Sequence, residues 1–157
     1  VQCYASDEKV NKTTNIPYPY PENGGLNFVK MAIEDWENGK NYNFALEVNG
    51  KVISGLGLNL PDYKKHTIRC DYAISSSYWG KGIATEAVKI ALLYAFNTLE
   101  MKIVVSSCLD RNVASRRVLE KNGFKENDSF IFNSNKFADE AAHWYELTKE
   151  EWQNKTA

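Results

Sequence analysis

Two glycines flank a lysine in the segment YWGKGIATEA, residues 78–87, just ahead of a long apolar run. Glycine loses more conformational freedom on folding than other residues, so this pair indicates that the backbone itself is in use. Amides at a helix N-terminus lack intrahelical partners and, with the helix dipole, favour a phosphate or pyrophosphate. Gly80 and Gly82 have no Cβ to obstruct such an anion, and Lys81 adds a positive charge. The turn alone is equally compatible with glycines that only shape a tight connection from strand to helix.

Two common phosphate motifs do not fit this turn. The P-loop pattern GxxxxGK[ST] places its lysine after the last glycine, whereas Lys81 precedes Gly82. The dinucleotide pattern GxGxxG fails at its third glycine, where Thr85 stands. A second glycine pair, in GLGLNLP at 55–61, is a weaker signal, and we interpret it as part of a strand that needs close packing.

The segment NVASRRVLEKNGF, residues 112–124, is a second motif. Asn112 is suited to cap a helix, and Gly123 is suited to the left-handed conformation at its end. Ser115 lies one turn from Asn112 on the same helix face. This helix follows the glycine turn by some thirty residues, and the two segments together carry the family resemblance described below.

The elements that position these motifs alternate between helix and strand, which predicts an α/β fold. Its sheet is expected to be mixed, antiparallel early and partly parallel around the two later helices. The predicted elements are, in order, a helix over 26–40, strands over 42–48 and 51–60 joined at Asn49-Gly50, a strand over 66–74, a helix over 81–98, a strand over 102–109, a helix over 112–124, a hairpin within 130–148 and a short tail, KEEWQN.

The composition narrows the class of protein. A chain of 157 residues is long enough for one core, so we expect residues 1–157 to form a single domain. A net charge of −1 argues against nucleic acid as a partner. No apolar run has membrane-spanning length and no secretory signal is visible, so we expect no membrane contact and a cytoplasmic location. Three widely spaced cysteines and two histidines form no metal-binding pattern and favour a reducing compartment.

The segment Trp79-Gly80-Lys81-Gly82-Ile83-Ala84 resembles the pyrophosphate motif of the GNAT superfamily of acyl-CoA N-acyltransferases, written [RQ]xxGx[GA], with Trp79 where Arg or Gln is usual. Together with N..S.RVLEKNGF it looks like the ribosomal-protein N-terminal acetyltransferase branch, the RimJ/RimL-like enzymes. YASDEKVNKTTNIPYPY resembles that branch's first helix and proline loop, and HWYELTKEEW resembles its last strand and tail. The resemblance implies the GNAT fold, a mixed and mostly antiparallel sheet flanked by helices. The branch opens with a strand before YASDEK, and that first strand is expected to be missing here.

The resemblance implies acetyl-CoA as cosubstrate, a primary amine as acceptor and no metal. Backbone near Ile74 would pair with the pantetheine arm, much as a peptide adds to a sheet edge. The residues implied to contact acetyl-CoA are Ile74, Trp79, Gly80, Lys81, Gly82, Ile83, Ala84, Thr85 and Asn112.

Acetyl transfer also requires a proton donor for the CoA thiolate that leaves. Many family members use a tyrosine seven residues after the asparagine, but that position is Leu119, which cannot donate. In this branch a serine at the place of Ser115 is a proposed donor, so the resemblance implies a catalytic role for Ser115. A hydroxyl is a poor acid and would need a relay or act by hydrogen bonding. Alternatively, Asn112 only caps the helix and Ser115 only satisfies a first-turn group.

Asp71 is the candidate base. Alternation along RCDYAI places Arg69, Asp71 and Ala73 on one face of the strand, so Asp71 can face the acceptor and take a proton directly or through water. It can equally pair with Arg69 or Lys64 on a solvated face. An α-amine has a pKa of about 7.7–8.0, against about 10.4 for lysine, so a site without a base would favour α-amine acceptors.

Acceptor contacts are expected from the proline loop, where Tyr18 and Tyr20 have few structural reasons to be present. Arg116, Arg117 and Lys121 form a basic helix face. In the family such residues reach the 3′-phosphate of CoA, although a solvated surface explains them as well.

The leading hypothesis is an acetyl-CoA-dependent N-acetyltransferase, foremost one that acts on a protein N-terminal α-amine. The first alternative is an acetyltransferase for a small amine such as a polyamine or a drug. A non-catalytic acyl-CoA-binding module is the second alternative, which the leucine at 119 keeps open. The oligomeric state is open, with a homodimer among the options.

Overall fold

The computed structural model describes residues 1–133 and 136–156. Its strands are β1 (Asn41–Val48), β2 (Lys51–Asp62), β3 (Thr67–Ile74), β4 (Ile103–Leu109), β5 (Lys125–Ile131) and β6 (Ala141–Thr148). Its α-helices are α1 (Gln2–Ala5), α2 (Glu8–Asn11), α3 (Gly24–Glu37), α4 (Ile83–Leu93), α5 (Val113–Asn122) and α6 (Lys149–Thr156). A 3₁₀ turn, Ser76–Tyr78, precedes α4, and a π-helical turn, Tyr94–Thr98, continues it.

The strands form one sheet in the order β1-β2-β3-β4-β6-β5, and the sheet is mixed, as the sequence predicted. The β3–β4 pair is parallel and each of the other neighbouring pairs is antiparallel. The predicted hairpin between β1 and β2 is confirmed, because Asn49 and Gly50 both have positive φ, 51° and 76°. Positive φ at both central residues is the requirement of the turn that matches the twist of two paired strands.

The main core lies between one face of the sheet and the pair α4 and α5. Val88 and Leu92 of α4 pack with Leu58 and Cys70 of the sheet, and all four are almost completely buried. Leu119 of α5 is also fully buried in this core. The position where many relatives carry a tyrosine is therefore a packing position in this chain.

The C-terminal segment KEEWQN, expected to be a short tail, forms helix α6 instead. Thr148 and Glu151 form a capping box: the Glu151 carboxylate accepts from the Thr148 N–H at 3.1 Å, and the Glu151 N–H donates to the Thr148 hydroxyl at 3.2 Å. Trp152 of this helix stacks against Phe96 with ring centroids 5.1 Å apart. The T-x-x-E signature was present in the sequence and is the signal that the tail interpretation overlooked.

Replacing Glu151 by glutamine should lower the melting temperature at pH 7. The Lys125 ammonium, 2.5 Å away, and the Thr148 groups lower the pKa of Glu151 from 4.5 to about 2. Because the folded pKa is depressed, the stabilisation is present above the unfolded pKa and is lost as the pH falls toward 2. The difference in melting temperature between wild type and Glu151→Gln should therefore shrink from pH 5 to pH 2, whereas exposed Glu150→Gln should show little difference at any pH. An equal deficit at pH 7 and pH 2 would contradict the capping role.

Candidate active site

A cleft opens where β3 and β4 separate. The two strands pair only over Thr67–Arg69 and Ile103–Val105. Just beyond, the Ser106 hydroxyl donates to the Cys70 carbonyl at 2.8 Å in place of a backbone bond. Because backbone groups alternate in direction along a strand, those of Tyr72 and Ile74 face the same open edge. A cavity of about 1590 Å³ lies along this edge, large enough for an extended ligand and an acceptor together.

The glycine turn opens onto this cavity. Gly80 and Gly82 have φ of 74° and 76°, the left-handed region that glycine adopts without strain. A Cβ at either position would have nothing within 4 Å, so backbone conformation, rather than crowding, explains the two glycines. No side chain caps α4 at Gly82, and the amides of residues 80–85 donate no hydrogen bond to any described residue. These amides therefore have no partner among the described residues, and an anion at this turn stays a prediction.

A hydrogen bond from Trp79 joins the glycine turn to the end of β3. Its indole Nε1–H donates to the Ile74 carbonyl at 2.8 Å, while its side chain remains 47% exposed at the cavity. The indole thus takes a structural contact at the position where the motif usually carries Arg or Gln. The Lys81 ammonium lies 4.9 Å from the Tyr78 ring centroid and does not line the cavity.

The hydroxyls of Ser115 and Tyr72 meet at the cavity wall. The Asn112 side chain accepts from the Ser115 N–H at 3.2 Å, so Asn112 does cap α5. The Ser115 Oγ lies 2.8 Å from the Tyr72 hydroxyl, and both residues line the cavity. Burial raises the pKa of Tyr72, so its hydroxyl keeps its proton. When Tyr72 donates to Ser115 Oγ, the Ser115 proton is free to point elsewhere. Sequence reasoning placed Tyr72 on the face opposite Asp71 but did not identify this contact.

Asp71 is bound on both of its oxygens. One accepts from the Arg69 Nε–H at 2.8 Å, and the other accepts from the Asn59 side-chain amide at 3.1 Å. Arg69 in turn donates to the Ser107 hydroxyl at 3.1 Å. The ion pair with Arg69, which was the alternative interpretation of Asp71, is present, and Asp71 also lines the cavity.

The remaining site residues divide between two locations. Tyr20 lines the large cavity, whereas Tyr18 is 58% exposed and lines a separate cavity of about 270 Å³. Arg117 and Lys121, one turn apart on α5, are exposed at the large cavity. Arg116 instead pairs with Asp110 at 2.9 Å. Of the basic residues on α5, Arg117 and Lys121 are thus the pair available to an anionic ligand.

Among residues 1–133 and 136–156, no three or more His, Cys, Asp and Glu side chains converge on a position where a metal ion would fit. No helix in these ranges is both long and apolar enough to cross a bilayer. Cys3, Cys70 and Cys108 are free thiols.

Diverging parallel strands, with an uncapped glycine turn at the end of one of them, are the arrangement expected of the family that the sequence resembles. Residues 1–125 match the family described as acetyltransferase (GNAT) domain, and the chain belongs to this family. The GNAT fold predicted from the sequence is therefore confirmed.

Known proteins similar to the chain carry acetyltransferase names. The uncharacterized N-acetyltransferase YnaD of Bacillus subtilis strain 168 is 29% identical over 93 residues, 57% of this chain and 54% of that protein. The chain thus spans about half of that relative's length. The ribosomal-protein-S5-alanine acetyltransferase from Vibrio fischeri has a similar fold, with a TM-score of 0.82, 17% identity and coverage of 96% of this chain and 88% of that one. The microcin C7 self-immunity acetyltransferase MccE, solved with acetyl-CoA and AMP, gives a TM-score of 0.80, 17% identity and coverage of 91% and 81%.

Proposed function

We propose that this chain is an N-acetyltransferase that moves the acetyl group of acetyl-CoA to a protein N-terminal α-amine, in the manner of the RimJ/RimL-like branch. Residues 1–157 would act as one catalytic domain. One observation carries the proposal: the unpartnered amides of the glycine turn open onto the same cavity as Ser115 and the free edge of β3. Membership of the GNAT family and the fold shared with the Vibrio fischeri enzyme support it.

The residues of the turn fit the donor. Amides of residues 80–85 and the N-terminus of α4 offer hydrogen bonds and a positive dipole to a pyrophosphate. Arg117 and Lys121 lie on the same cavity and can pair with a further phosphate. The N–H of Ile74 faces the open edge of β3, while its carbonyl is already held by Trp79. Acetyl-CoA supplies an activated thioester and a pyrophosphate, and this chain offers a partner for each.

The chain's own residues can serve each part of the transfer. An amine nitrogen forms a C–N bond to the acetyl carbonyl, the C–S bond breaks, and the nitrogen gives up one proton. A strand amide near Ile74 can hold the oxyanion that develops on the carbonyl oxygen. The departing sulfur needs a proton, which Ser115 can donate while the Tyr72 hydroxyl, 2.8 Å away, donates a hydrogen bond to the Ser115 oxygen; the proton released by the amine then returns to Ser115. In this relay Tyr72 keeps its proton and its hydrogen bond stabilises the charge that develops on the Ser115 oxygen, which meets the objection that a lone hydroxyl is a poor acid.

The charges of the cavity favour an α-amine over a polyamine. Its acidic lining residues among those described are Glu37 and Asp71, and Asp71 is already paired with Arg69. A polyamine carries several positive charges that need several carboxylates, whereas a peptide N-terminus carries one. An α-amine is also substantially deprotonated near neutral pH and needs little help from a base.

Asp71→Asn should change the rate with peptide acceptors only severalfold. Both Asp71 oxygens already accept hydrogen bonds from Arg69 and Asn59, so the carboxylate has a structural role that does not require it to take the amine's proton. Steady-state kinetics from pH 6 to pH 9 would measure the effect, with exposed Asp128→Asn on β5 as the control. A loss of about 100-fold in kcat, with a changed pH profile, would identify Asp71 as the base.

The test of the function is release of free thiol from acetyl-CoA with a panel of amines: peptides with free N-termini, N-terminally blocked peptides that contain lysine, and spermidine. Binding of CoA would be measured alongside by thermal shift. Turnover with free N-termini and with neither of the others supports the proposal. Turnover with spermidine alone or with the blocked peptides alone would contradict an α-amine acceptor and would identify a polyamine or a lysine side chain as the acceptor instead. Stabilisation by CoA without turnover would favour the non-catalytic binding module, and no stabilisation of folded protein would overturn the pyrophosphate site.

A further inference from the structure

Tyr4 is a buried tyrosine of α1 that no part of the proposed mechanism uses. Its side chain is 4% exposed, and it lines the large cavity together with Tyr20. No hydrogen bond joins the Tyr4 hydroxyl to a residue within 1–133 or 136–156. The ring is buried, but the hydroxyl oxygen is not among the fully enclosed polar atoms that lack a partner, so it is open to a water or a ligand in the cavity.

The Tyr4 hydroxyl lies in a depression of the sheet. Ala45, Gly55 and Ala73 are aligned across β1, β2 and β3 as directly paired residues. A Cβ at Gly55 would come within 2.4 Å of the Tyr4 hydroxyl, so only glycine leaves room for it. The close packing predicted for the glycine pair in β2 is thereby explained at Gly55. Ala73 is the β3 residue paired with Gly55, so the hydroxyl lies over the part of the sheet next to Ile74 and the open edge of β3.

Helix α1 is too short to hold Tyr4 by itself, and neighbouring segments fix it. The Gln2 side chain donates to the Pro21 carbonyl at 2.9 Å and accepts from the Gly25 N–H at 2.8 Å. The Asn11 side chain donates to the Ala5 carbonyl at 2.7 Å. Asp7, just after α1, accepts from the Ser76 N–H at 3.0 Å and so ties α1 to the turn that follows β3. Tyr4 is therefore positioned relative to β3 by contacts on both of its sides.

We propose that the Tyr4 hydroxyl binds the acceptor amine beside Ala73 and orients its nitrogen toward the acetyl carbonyl. This inference rests on the proposed N-acetyltransferase function and adds a residue that touches the acceptor. The phenol oxygen accepts an N–H from the amine, which leaves the nitrogen lone pair free for attack. The acceptor enters along the sheet face that carries Ala73, opposite the face covered by α4 and α5.

The phenol orients the amine and does not deprotonate it. Burial, with a smaller contribution from nearby Tyr20, raises the pKa of Tyr4 from 10.0 to about 12. The hydroxyl is therefore neutral across the range in which an α-amine titrates, and its hydrogen bond should not depend on pH there. A general base would impose such a dependence.

The experiment compares wild type with Tyr4→Phe, which removes one oxygen and retains the ring. We expect kcat/KM for the peptide acceptor to fall about tenfold, the size of one lost hydrogen bond, with the KM for acetyl-CoA and the pH profile unchanged. Gly55→Ala, which displaces the hydroxyl, should have a similar effect, and the double variant should lose little more than either single one. Tyr63→Phe is the matched control, since its hydroxyl bonds Tyr42 and Gly39 and lies outside the cavity.

The outcomes distinguish the role of Tyr4 from the proposed acetyltransferase function. If the wild type transfers acetyl and Tyr4→Phe has the same kcat/KM for the acceptor, the role of Tyr4 is overturned. The proposed function is then left intact. A Tyr4→Phe variant with weakened CoA stabilisation overturns it too, because the residue then serves the donor or the fold. Wild type that transfers acetyl to no amine overturns the proposed function, and the role of Tyr4 with it.

Discussion

Gly82→Val is expected to lower the affinity for CoA by about 100-fold, or about 3 kcal/mol, the order of one or two lost hydrogen bonds to a charged group. Gly82 has a φ of 76°, which a β-branched residue does not adopt without strain. Relief of that strain rotates the peptide units on either side, and the amides that face the cavity turn away. Isothermal titration with CoA measures the loss directly.

The hairpin glycine Gly50 is the matched control. It has the same φ of 76° and, like Gly82, nothing within 4 Å of a built Cβ, but it lies outside the cavity. Gly50→Val should therefore carry a similar loss of thermal stability with the affinity for CoA unchanged. Equal losses of affinity in the two variants would contradict an anion site at the turn and leave only a global effect.

Ser115→Ala is expected to lower kcat by about 100-fold with little change in the KM for acetyl-CoA. Proton transfer by a positioned group contributes on this scale, and it acts in the transition state rather than in binding. The Asn112 cap bonds the Ser115 backbone, so the variant retains the start of α5. Stopped-flow and steady-state measurements of thiol release separate the two parameters.

Tyr72→Phe tests the relay. If Tyr72 acts through Ser115, Tyr72→Phe should lower kcat, and the double variant should be no slower than Ser115→Ala alone. Ser129→Ala, an exposed serine on β5, is the control for loss of a hydroxyl. Full activity in Ser115→Ala would contradict the proton-donor role and assign the Ser115 hydroxyl to packing against Tyr72.

Local features of this fold were readable from the sequence because short-range geometry determines them. Asn49-Gly50, Asn112 and the glycine turn each require particular backbone angles or caps, and few residue types supply them. The parallel crossing from β3 to β4 followed from a helix between two strands. The capping box at Thr148 is equally local, so helix α6 could also have been predicted from the sequence.

Contacts between segments distant in sequence could not be predicted in the same way. The hydrogen bond between Tyr72 and Ser115 joins residues 43 positions apart. The contact of Tyr4 in α1 with Gly55 likewise joins a helix to a strand that is distant in sequence. The bond from Trp79 to Ile74 is close in sequence, but it depends on how the 3₁₀ turn folds back. Tyr18 and Tyr20 are two residues apart in one loop and lie in different cavities, a separation that their residue type alone did not reveal.

The limited pairing of β3 with β4 gives the sheet two panels, β1 to β3 and β4 to β6, joined over three residue pairs. Within each panel the strands pair along most of their length, so each can remain rigid while the angle between them varies. Ser106 lies at the junction, where its hydroxyl donates to the Cys70 carbonyl and so joins β4 to β3. Substitutions there would alter the width of the cleft without disturbing either panel. Under the proposed function, a chain built this way can adapt to acyl groups of different length through a few junction residues, with the glycine turn and the sheet face that carries Ala73 unchanged.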